Sequence, residues 1–114
     1  MNYIKINEVL YPATISGRMM DTEWDRRESK AITLEMDYSI AAVLFVDGLE
    51  WSIVMVTPST ENTEEVTEEF DNSDYYVAGA ITDNRNGTIT VKMGKATDGE
   101  MLAELMEVLN NEEG

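Results

Sequence analysis

Between Ala31 and Asn84 the chain carries twelve carboxylates and not one lysine or arginine. Whatever fold it adopts must keep that middle stretch wet, because a buried carboxylate without a cationic or hydrogen-bonding partner is strongly destabilising. Residues 1–30 hold five acids and five bases and sum to zero. The net charge of −15 therefore comes mostly from the middle, with a smaller excess at the end. Such a field repels nucleic acid and anionic membranes and favours basic partners or cations.

A length of 114 residues, 43% of them apolar, predicts a single globular domain over 1–114. The absence of cysteine removes disulfides and thiolate metal sites. The absence of histidine removes the commonest general base and a frequent transition-metal ligand. Residues 1–10 hold one lysine and no apolar run of signal-peptide length, and no apolar stretch is long enough to span a bilayer. The expected location is a cytoplasm, or a particle assembled from there.

Periodicity supplies the elements. Tyr3–Ile6 and Val9–Ile15 read as strands joined at Asn7-Glu8, with Pro12 suggesting an edge or a bulge. The charged segment Gly17–Glu28 reads as a long loop, with a helical turn starting at Asp21 or Thr22. Ala31–Met36 alternates as a half-buried strand. Asp37 can cap a helix over Tyr38–Val46 that Asp47-Gly48 ends, and Trp51–Thr57 reads as a central strand. A helix of that length between two strands permits a right-handed parallel crossover. Ser59–Asp74 has seven acids and no base and reads as a mobile acidic loop at 59–74. Tyr75–Thr82 and Thr88–Met93 form a hairpin, with Gly87 supplying the positive φ of a bulged turn. Thr97-Asp98-Gly99-Glu100 is a capping box for a helix to about Asn110. Met101, Leu102, Leu105, Val108 and Leu109 make its apolar face, Glu100, Glu104 and Glu107 the opposite side, and 111–114 a short disordered tail. The predicted fold is α+β: one mixed, mostly antiparallel sheet of five to six strands with two helices packed on one face, in the order β-β-β-α-β-β-β-α.

The chemistry-bearing patterns are sparse. Placing Gly87 at the sixth position of a calcium loop puts Thr82 at the first and Met93 at the twelfth, both wrong for that site. Asn86-Gly87-Thr88 fits a glycosylation sequon, but no secretion signal accompanies it. The serines lack a histidine base, no glycine-rich phosphate loop occurs, and no lysine lies in an apolar run that would depress its pKa. No catalytic residue, cofactor or metal is expected. The segment containing Met20, Trp24, Arg26 and Arg27 is the candidate partner-contact site, since tryptophan and arginine dominate interface energetics and methionine adapts to varied surfaces. The alternative is that Trp24 folds back over the sheet as a lid for the core.

Four phrases carry a resemblance: Tyr3-Ile4-Lys5-Ile6-Asn7 followed by Leu10-Tyr11-Pro12-Ala13; Arg27-Glu28-Ser29-Lys30-Ala31-Ile32-Thr33-Leu34; Leu44-Phe45-Val46-Asp47-Gly48 before Trp51-Ser52-Ile53-Val54; and Ile81-Thr82-Asp83-Asn84-Arg85-Asn86-Gly87-Thr88 running into Val91-Lys92-Met93-Gly94-Lys95. Over residues 2 to about 95 the chain is similar to small uncharacterised tail-module proteins of phages and prophages of gut Gram-positive bacteria. That resemblance implies a non-enzymatic virion structural or assembly role, tail-associated, with other phage proteins or further copies of the chain as partners. It carries over no catalytic residue. An acidic nucleic-acid mimic that inhibits a basic host protein is the rival expectation, and a carboxylate-only hydrolase using a divalent metal is a third.

Overall fold

A computed structural model describes residues 2–113, with side chains described through Glu107. Its elements are β1 (Asn2–Ile6), β2 (Val9–Asp21), β3 (Arg27–Glu35), α1 (Tyr38–Leu44), β4 (Ser52–Thr57), β5 (Val66–Asp71), β6 (Val77–Asp83), β7 (Thr88–Gly94) and α2 (Asp98–Glu113). The strands make one seven-stranded sheet in the order β5-β4-β1-β2-β3-β7-β6, and all its pairings are antiparallel. The fold is therefore α+β with a single antiparallel sheet and two helices, but with more strands than the five to six expected. The parallel crossover does not form, because β4 lies antiparallel beside β1 and is not a neighbour of β3.

The additional strand is β5, inside the segment expected to be a loop. Val66, Thr67 and Phe70 give it enough β character, and it occupies a sheet edge. There Glu68, Glu69 and Asp71 stay wet, as an edge strand allows. A composition averaged over 59–74 hides so short a strand.

Turn chemistry explains the first hairpin. Asn7 and Glu8 both have positive φ, 51° and 68°, and connect Ile6 to its partner Val9 as a two-residue turn. β2 then runs well past its expected end at Ile15. Its first part, to Pro12, pairs with β1, and its second part, from Ala13, pairs with β3. Pro12 sits at this change of partner, so its missing N–H falls at a junction between two ladders.

The sheet rolls over at β2. The edge strands β5 and β6 are joined only by Asn72–Tyr76. At ~3.5 Å per extended residue that connector reaches roughly 20 Å, whereas seven flat strands at ~4.8 Å spacing would separate the edges by about 29 Å. The two half-sheets instead face each other across one core. Ile4 and Ile6 of β1, Ile32 and Leu34 of β3, and Ile89, Val91 and Met93 of β7 fill it. Ala41 and Phe45 from α1 and its exit, together with Trp51 and Tyr75, complete it. Tyr75 and Tyr76 belong to the connector, not to the strand expected from Tyr75. The Trp51 indole N–H donates to the Tyr75 carbonyl at 2.9 Å, and the two rings meet edge to face at 6.5 Å.

The helices do not share a face of the sheet. α1 buries Ala41 into the core, and its N-terminus is closed by the Asp37 carbonyl accepting from Ala41 N–H, with no bond from the Asp37 side chain. α2 runs to Glu113, beyond the expected stop near Asn110 and through most of the stretch expected as a tail. All of its described side chains, from Asp98 to Glu107, are exposed. The radius of gyration is accordingly 16.8 Å, and the longest dimension is 63 Å. A compact chain of this length would have about 13 Å. No helix among the described residues is long and apolar enough to cross a membrane.

Candidate functional site

The β2–β3 hairpin closes through a hydrogen-bonded turn at 22–26. The Asp21 carbonyl accepts from the N–H groups of Trp24 (3.0 Å) and Arg26 (2.9 Å). Asp25 and Arg26 take positive φ, 56° and 60°. The Asp21 side chain, fully buried, accepts from Glu23 N–H (3.1 Å), Ser29 Oγ (2.9 Å) and Lys92 Nζ (3.0 Å). The bond from Lys92 is the main reason its carboxyl lies below the usual range.

This turn swings Trp24 back over the outer face of β6 and β7. Two glycines make the seat: a Cβ on Gly79 would lie 2.6 Å from the indole, and one on Gly94 2.9 Å. The Arg27 guanidinium stacks on the same ring, 4.5 Å from its centroid. Arg27, only 5% exposed, donates through Nη1 to Glu100 Oε1 (2.7 Å) and to the Lys95 carbonyl (3.1 Å), and through Nη2 to Glu100 Oε2 (3.2 Å). That fork is the main cause holding Glu100 down to about 2. Glu100 also closes the capping box, accepting from Thr97 N–H at 2.9 Å while its own N–H donates to Thr97 Oγ1 at 3.2 Å. Arg27 thus clamps the root of α2 to the sheet.

The four residues expected at a contact site separate into two pairs. Trp24 and Arg27 are brought together, half-buried and buried, and serve the attachment of the hairpin and of α2. Met20 and Arg26 remain exposed. Met19 is 89% and Met20 62% exposed. Arg26 has neither an ion pair nor a side-chain hydrogen bond among the described residues.

A second polar cluster faces inward, at the mouth between the half-sheets. The Tyr75 hydroxyl donates to Glu28, Lys30 donates to Asn72 Oδ1, and Lys95 Nζ lies 3.5 Å from Glu28. Lys30 and Lys95 approach the Tyr75 ring to 4.6 and 5.1 Å. Desolvation lowers the Lys30 pKa although no lysine lies in an apolar run of the sequence, because the fold and not the local run buries it. Strand parity carried the signal: Lys30 precedes Ile32 and Leu34 on the inward side of β3. Burial and the bond to Glu28 push Tyr75 up to about 12, and the same bond is the main cause lowering Glu28. Both of these groups move away from neutrality, and the cluster ties the connector to β3.

The broad unsatisfied surface is α2. Met101, Leu102, Leu105 and Met106 are each about half exposed, while Val108 and Leu109, expected on the same face, lie outside the described side chains. Glu100, on the opposite arc, is held by Arg27, so the apolar stripe points away from the clamp. Glu104 and Glu107 share the arc of Glu100, opposite that stripe, and make no ion pair among the described residues. No family model, no curated protein and no solved structure matches this chain.

Proposed function

We propose that this chain is a non-enzymatic phage or prophage structural or assembly protein, tail-associated, that acts by protein–protein contact. The observation that carries the contact reading is α2: a helix clamped at its root whose described apolar residues stay about half exposed. A contiguous exposed apolar face on a small domain is the mark of an interaction surface. The phage and tail assignment is supported by the sequence phrases alone. The acids keep the free subunit soluble before assembly. Mimicry of a phosphate backbone has less support, because Glu68 and Glu69, adjacent on β5, project to opposite faces.

The test is mass spectrometry of purified particles and assembly intermediates, with wild-type chain and with Leu102→Glu/Leu105→Glu. The wild type should be present and the double variant depleted at least tenfold, with its strand signature by circular dichroism unchanged. Absence of the wild type from particles and from all intermediates defeats the proposal.

A further inference from the structure

β5 leaves a strand edge open, and the phase of its ladder says which groups that edge presents. The Asn72 N–H donates to the Trp51 carbonyl at 2.9 Å and continues the register of Ser52 with Asp71 and Ile53 with Phe70. Hydrogen-bonded pairs alternate along an antiparallel ladder. Val66, Glu68 and Phe70 therefore direct their N–H and C=O groups at β4. Thr67 and Glu69 aim theirs to the other side, where the sheet has no further strand. The side chains sort by the same alternation. Val66 and Phe70, both about half exposed, share a face with Met55 of β4. Thr67, Glu69 and Asp71 share the opposite face, where a hollow of about 320 Å³ is lined by Glu8, Glu50, Glu69 and Asp71. Lys5 is the one base among its lining residues, and Glu69 at 3.0 Å and Glu8 at 3.4 Å already hold it.

This chemistry selects the strand that can join. A second copy fits poorly. β5 against β5 sets Glu68, Glu69 and Asp71 against the same acids. β6, at the other edge of the sheet, carries no base and ends in Asp83. Its Ala78 N–H already donates to Asp47 Oδ1 at 2.8 Å, and its ladder is irregular between Ala78 and Ile81, so that edge is blunted. An extended segment whose residues alternate between apolar and cationic matches both faces of β5 at once. We propose that β5 takes up such a basic segment of another protein as an additional strand, with apolar side chains on the Val66–Phe70 face and lysine or arginine on the Glu69–Asp71 face. The backbone of that segment exchanges hydrogen bonds with Thr67 and Glu69. This surface is separate from α2, so the inference stands apart from the reading of that helix.

Fluorescence anisotropy with a labelled, alternating lysine–valine octapeptide in ~0.15 M salt tests this. The alternating peptide should bind at least tenfold tighter than a block peptide of the same composition and than a glutamate–valine peptide. Thr67→Pro leaves every charge in place and removes only an outward N–H, which an edge strand tolerates. It should melt near wild type and weaken binding of the alternating peptide at least tenfold. Glu69→Lys/Asp71→Lys should reverse the preference toward the glutamate–valine peptide. Hydrogen exchange should show the Thr67 and Glu69 amides slowed by the bound peptide. No binding of the alternating peptide overturns the inference. Equal binding of the alternating and block peptides, or undiminished binding to Thr67→Pro, also overturns it, since either result reduces the contact to attraction between charges.

Discussion

Glu8 occupies a backbone conformation that suits glycine. At φ 68° its Cβ is crowded, whereas Asn7 before it tolerates the left-handed region. Glu8→Gly should raise stability by about 0.5–1 kcal/mol in urea denaturation. An unchanged midpoint would mean that the turn is not strained. Trp24 makes a stronger claim. Wedged between Gly79, Gly94 and Arg27, it is part of the packing, so Trp24→Ala should cost about 2–3 kcal/mol, less than a fully buried tryptophan. Gly79→Ala should cost about 1–3 kcal/mol by displacing the ring, and should shift the fluorescence of Trp24. Melting that ignores both substitutions would put the indole free in solution, available as a partner anchor.

At the scale of elements, the clamp on α2 has a pH signature. Glu100 is held near 2 in the folded chain against 4.5 ordinarily, with the Arg27 bond as first cause. A depressed carboxyl stabilises fully above its unfolded pKa, and that contribution is lost as pH falls through the folded value. Glu100→Gln retains the cap to Thr97 but not the ion pair. The wild type should therefore melt higher than this variant at pH 6, and the gap should close between about pH 5 and pH 2. A gap that persists at pH 2 would exclude the ion pair as its source. The elements themselves were largely legible. Alternation placed β3, turn residues placed the β6–β7 hairpin, and Thr97 with Glu100 marked the start of α2. β5 escaped because six edge residues rich in acid resemble a loop when averaged with their neighbours. The second part of β2 escaped because Gly17, Arg18, Met19 and Met20 have no period; the strand form there follows from the pairing of Gly17, Arg18 and Asp21 with β3, Met19 and Met20 lying in the register shift between them.

For the whole molecule, the projection of α2 sets the dimensions. Small-angle scattering of the chain, extrapolated to infinite dilution, should return a radius of gyration near 16.8 Å. A value near 13 Å would mean that α2 folds back on the body. The sequence by itself determined the α+β class, the strand periods, the capping box and the wet acidic middle, because these depend on neighbours within a few positions and on charge that no nearby base offsets. Only the tertiary structure decided that β2 serves two half-sheets, that Trp24 and Arg27 pack back on the outer face of β6 and β7, that Lys30 is desolvated, and that the described apolar residues of α2 stay about half exposed. Those outcomes depend on which distant residues meet, Arg27 with Glu100 or Trp24 with Gly79, and local pattern along a chain does not encode that proximity.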